Sequence, residues 1–94
     1  MDRSQAEALA VQALAFIASD PALLPRFLAI TGIEANAIRA AAMQPGFLAG
    51  VLQFILAHEP TLMQFAEQAE IAPEAVGRAC RALPDGGEEY ERST

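Results

Sequence analysis

The sequence predicts an all-α fold: a compact bundle of five to six helices, built as a duplicated three-helix unit with helix-turn-helix-like corners. Three observations predict it. Apolar residues recur at spacings of three and four along most of the chain, the repeat of one helix face. All six prolines and four of the six glycines fall at the ends of those stretches, where helices start and stop. No alternating polar and apolar run is long enough for a strand. The 94 residues make one small domain, expected over residues 4–83. Their 53% hydrophobic content provides a core without help from a metal or a disulfide.

The first helix is expected to begin at Ser4-Gln5-Ala6-Glu7, which reads as a capping box. Leu9, Ala13, Phe16 and Ile17 form its apolar stripe, and it ends near Ser19. Asp20-Pro21 is a second start, an N-cap acid followed by proline. Pro25, four residues later, would remove a hydrogen bond from a continuing helix. A short turn over 21–24 and a helix from Pro25 to Thr31 are therefore expected, with Gly32 as left-handed terminator. Glu34 to Met43 reads as a third helix and Pro45 as the start of the fourth. That fourth helix is the most apolar segment and is expected at the centre. Glu59-Pro60 starts the fifth, with Leu62, Met63, Phe65, Ala66 and Ala69 inward. Pro73 starts the sixth, with Val76, Cys80 and Leu83 inward. Residues 84–94 carry no apolar pattern and read as a disordered acidic tail.

The two halves match at an offset of 38–39 residues. Leu14-Ala15-Phe16-Ile17 aligns with Leu52-Gln53-Phe54-Ile55. Asp20-Pro21-Ala22-Leu23-Leu24 aligns with Glu59-Pro60-Thr61-Leu62-Met63, and Phe27 and Ile33 with Phe65 and Ile71. The acid-proline-leucine and Phe–Ile matches do not depend on alanine, which recurs so often here that it aligns easily.

The sharpest local pattern is Phe65 to Arg78, which looks like the helix-turn-helix of bacterial repressors. Ala69 takes the place of the small contact, Ile71 the turn hydrophobe and Val76 the lock of the second helix. It departs at Glu70, where such a turn usually holds glycine. Arg78 and Arg81, with Arg39 and Asn36 in the first copy, are the candidate anion or nucleic-acid contacts. The plainer reading is a common packing unit with a solvated face, in which Glu74 and Arg78 pair at i,i+4.

The net charge is −6, from six arginines against twelve acids. The tail holds Asp85, Glu88, Glu89, Glu91 and Arg92, half of that net charge. The balance disfavours nucleic acid and anionic membrane. No segment reaches the roughly 20 apolar residues of a membrane span, and no secretory signal is evident, so a cytoplasmic setting is expected. There is no lysine, which excludes Schiff-base chemistry. One histidine, His58, and one cysteine, Cys80, give no metal-ligand spacing and no nucleophile–base pattern. His58 reads as a capping residue and Cys80 as a small core residue. No catalytic residue, metal or cofactor is expected.

The runs Phe27-Leu28-Ala29-Ile30-Thr31-Gly32-Ile33, Ile38-Arg39-Ala40-Ala41-Ala42 and Pro45-Gly46-Phe47-Leu48-Ala49-Gly50-Val51-Leu52-Gln53-Phe54 resemble a small bacterial family, domain-of-unknown-function family 3572. The resemblance spans roughly residues 5–84. It implies a stand-alone, cytoplasmic, all-helical protein and brings neither an activity nor a functional residue.

The expected role is therefore a small non-enzymatic interaction or regulatory module that binds another protein or a second copy of itself. The fourth helix is apolar around nearly its whole circumference, more than a chain this short is expected to cover. Phe47, Val51 and Phe54 are the expected partner surface. The alternative is a DNA-associated regulator using residues 65–82 as a helix-turn-helix.

Overall fold

A computed structural model describes residues 1–44 and 46–84. Six α-helices and one 3₁₀ turn follow in the order α1 (Arg3–Ala18), α2 (Leu23–Thr31), a 3₁₀ turn (Ala35–Ala37), α3 (Ile38–Ala42), α4 (Phe47–Leu56), α5 (Glu59–Ala69) and α6 (Pro73–Ala82). No strand occurs among the described residues. The Cα radius of gyration, 12.4 Å, is that of a close-packed domain of this length.

Local chemistry sets each boundary. α1 starts earlier than Ser4, because Asp2 and Gln5 form the capping box instead. Gln5 N donates to Asp2 Oδ1 at 2.7 Å, and Asp2 N donates to Gln5 Oε1 at 3.1 Å. This outer box adds two residues, about half a turn, to the helix that a cap at Ser4 would forfeit. Asp20 does cap the next element: its Oδ1 accepts from Ala22 N and Leu23 N. α2 nevertheless runs through Pro25, contrary to the expected break. Pro25 is the third residue of α2, within the first turn, where a backbone N–H has no intrahelical acceptor to lose. Gly32 ends α2 at φ 75°, as expected. The third element is split, a 3₁₀ turn leading into the five residues of α3. Pro45, the expected start of the fourth helix, lies outside the described residues, as do residues 85–94 of the expected acidic tail.

The order of elements repeats between the halves, and so does one backbone feature. Glu70, 38 residues after Gly32, ends α5 in the same left-handed conformation at φ 58° and ψ 45°. Ile71 N reaches Ala66 O at 3.0 Å, closing the turn in the manner of a Schellman motif. The tight turn therefore forms despite the missing glycine. A side chain in this region costs about 1–2 kcal/mol, and a carboxylate at a helix C-terminus opposes the helix dipole. Glu70→Gly is expected to stabilise the fold by about 1 kcal/mol, seen as a rise of roughly 4–8 °C in Tm. The packing does not repeat: α6 lies against α1, α4 and α5, whereas α3 packs chiefly on α4.

α4 is the centre of the bundle, in contact with α1, α3, α5 and α6. None of its residues is exposed. Phe27 from α2 closes the remaining side, edge-on to Phe47 at 6.2 Å and to Phe54 at 5.3 Å between ring centroids. From α6, Val76, Ala79 and Cys80 are fully buried, and Cys80 Sγ lies 3.8 Å from Ala49 O. Met63, expected inward, is 49% exposed; Thr61 takes the buried position on α5. Among the described residues the one ion pair is Arg3–Glu7 at 3.6 Å, too exposed to add much stability. The expected Glu74–Arg78 pair is not formed there.

Candidate functional site

The expected partner surface on the fourth helix is not a surface. Val51 is 0% and Phe47 9% exposed, and Phe54 is half-buried under the Phe27 ring. The apolar circumference of α4 exceeds what one or two neighbours could cover, but five other elements surround it. Those three residues belong to the core.

The three arginines are exposed, in two separate places. Glu74 and Arg81 stand on the outer side of α6, and Arg78 stands at the edge of that side, next to α1. Arg39 stands on α3. The Arg81 guanidinium folds back along its own helix, with Nη1 3.4 Å from where a Cβ on Gly77 would lie.

The single histidine and the single cysteine are both engaged within the fold. His58 stands at the N-cap of α5, its Nδ1 2.7 Å from Thr61 Oγ1. That hydroxyl is on a buried residue, so the pair fixes the helix start. Cys80 is 0% exposed. No group of three or more His, Cys, Asp or Glu among the described residues is placed to hold a metal ion. No single described helix is long and apolar enough to cross a membrane.

What the surface does offer is a groove along α1. Its first part is a hollow of about 590 Å³ between the C-terminal half of α1 and α5, lined by Gln12, Phe16, Asp20, Phe65, Gln68 and Ala69 among others. The Phe16 and Phe65 rings, 5.4 Å apart and tilted by 55°, form its floor. The second part is a hollow of about 520 Å³ between the N-terminal half of α1 and the α5–α6 corner. Gln5, Leu9, Gln12, Ile71, Ala75 and Arg78 line it. Gln12 borders both. α1 is 16 residues long, so the groove follows a helix of about 24 Å. Its charged side chains are one in each hollow, Asp20 in the first and Arg78 in the second; the rest are apolar, alanine, serine or glutamine.

The sequence held one signal for this groove. Gln5 and Gln12 on α1 and Ser19 at its C-cap recur every seven residues, with Ala8 and Ala15 between them, and Phe16 lies on the edge of that face. The alanines hide it, because they make every side of α1 look apolar. Arg78 is the expected site residue that does border the groove.

The fold and the groove define a small all-α bundle with a helix-lined surface trough. The family model for proteins of unknown function, DUF3572, matches residues 3–86, and the chain belongs to that family. No curated protein and no solved structure matches it.

Proposed function

We propose that this protein is a non-enzymatic interaction module that docks another polypeptide in the groove of α1 with α5 and α6. The observation that carries the reading is the groove itself. It is floored by Phe16 and Phe65, rimmed by glutamine amides, and lined by a single charged side chain in each hollow, on a chain of net charge −6. A partner entering it removes apolar area from water without stripping water from an ion. Two hollows end to end along a helix suit a helical segment better than a small molecule. The non-enzymatic part rests on His58 and Cys80, both engaged away from the groove.

A photo-crosslinking residue placed at Gln12 tests this, with Asn36 in the 3₁₀ turn as control. Adducts with a polypeptide from position 12 and none from position 36 are expected. No adduct from position 12 would contradict the reading.

The second reading is a DNA-associated regulator. The left-handed Glu70 turn and the buried Val76 favour a helix-turn-helix corner. Against it, α6 buries a whole face on α1 and α4, and its outer side offers two arginines beside Glu74. On this reading Arg78→Ala weakens binding to duplex DNA and lowers its salt dependence. The groove reading expects no DNA binding to be lost.

A further inference from the structure

We infer that the occupant of the groove is a second copy of the same chain, packed α1 against α1 in antiparallel sense about a two-fold axis at Gln12. This rests on the groove being the docking surface. The charge pattern selects the partner and its direction. Asp20 lines the hollow along the C-terminal half of α1 and Arg78 the hollow along its N-terminal half, and Gln12 borders both. A two-fold axis at Gln12 carries each hollow onto the opposite hollow of the other copy. Asp20 of each copy then meets Arg78 of the other, twice. A parallel pairing would set like charges together.

The backbone has the same polarity. α1 begins beside the Arg78 hollow and finishes beside the Asp20 hollow, so its positive N-terminus and negative C-terminus add to the side-chain charges. Only an antiparallel helix complements both. The Asp20 carboxylate is also held in place, because Oδ1 accepts from Ala22 N and Leu23 N.

The same helix supplies something to insert. Val11, 55% exposed, adjoins Gln12 at the middle of α1. Ala8 and Ala15, both exposed, lie a turn to either side. One branched side chain flanked by alanines lets two helices approach closely. The closed two-fold geometry uses the same patch on both copies and leaves no open end to polymerise.

The test uses the symmetry. Any residue on the axis meets itself, so sedimentation equilibrium is measured on wild type, Gln12→Arg, Gln12→Glu and an equimolar mixture of the two variants. Gln12 is exposed in mid-helix and both replacements are good helix formers, so circular dichroism is expected to show the fold kept. Wild type is expected to dimerise in a dilution-dependent way. Each variant alone is expected to dimerise about tenfold more weakly, and the mixture to recover the loss as a heterodimer. Arg78→Glu, distant from the axis, is expected to weaken the dimer as well. A wild type monomeric across the dilution series overturns the inference. So do Gln12 variants that dimerise as wild type does. If the wild type is monomeric while position 12 still crosslinks to a different polypeptide, the groove reading stands and the second copy is wrong. If position 12 crosslinks to nothing, the groove reading falls with it.

Discussion

Val51→Glu is expected to abolish the native fold at neutral pH. Val51 is fully buried at the centre of α4, with α1, α5 and α6 packed around that helix. A carboxyl group there has no partner. Burial of this kind raises a carboxyl pKa by about 3–5 units, to above 7, so the side chain enters the fold protonated at pH 7; protonating it costs about 3.7 kcal/mol there, and burying the unpartnered carboxyl group adds roughly 1–3 kcal/mol. A helical domain of about 80 residues has only about 4–12 kcal/mol in total. The sign of the pH dependence follows. The substituted carboxyl has a raised pKa in the folded state, so its protonation penalty is absent below about pH 4.3, where both states are protonated. The penalty grows as pH rises above that value. Thermal melts followed by circular dichroism should show no cooperative transition at pH 7 and partial recovery near pH 4. A variant that melts like wild type at pH 7 would mean that α4 presents this face to solvent after all.

Phe27→Ala is expected to cost about 3–5 kcal/mol, the range for emptying a buried aromatic site. Phe27 is 1% exposed and is the contact by which α2 closes over α4, through its edge-on pairs with Phe47 and Phe54. The corresponding fall in Tm is at least about 12 °C for a domain of this size. Urea unfolding gives the same quantity through the midpoint at unchanged slope. A loss under about 1 kcal/mol would mean that α2 is only loosely attached.

These two residues also show how far the sequence could be read. The helices are legible because their ends are written in residue types with fixed conformational demands: Asp20 before α2, Gly32 after it, Pro60 and Pro73 at the starts of α5 and α6. Two boundaries differ from the sequence expectation for local reasons. Asp2 with Gln5 and Ser4 with Glu7 both satisfy the capping-box spacing, and the outer pair wins because it extends the hydrogen-bond ladder. Pro25 reads as a breaker only if the helix is taken to start at Pro21. With the start at Leu23 it falls within the first turn.

The site was less legible. The excess of apolar residues on α4 reads as an exposed face, but periodicity along one helix says nothing about how many others surround it. Phe27, 20 residues before Phe47, covers the side that looked free. The groove has the opposite problem. Its wall on α1 is alanine and glutamine, neither of which marks a surface, and its floor joins Phe16 to Phe65 from distant parts of the chain. Glu70 looked like a flaw in the α5–α6 turn, yet the chain adopts the left-handed conformation there and seats Ile71 beside α1.

The most direct measurement is the yield of crosslinked adduct from a photo-crosslinker at Gln68, with and without Ala15→Arg. Both positions line the same hollow, on opposite walls. Ala15 is exposed, so a long side chain there fills the groove without entering the core. Docking in the groove predicts a strong adduct that Ala15→Arg reduces by about tenfold or more, with Tm changed by no more than a few degrees. An adduct that survives Ala15→Arg undiminished, or no adduct in either background, would contradict the groove as the docking surface.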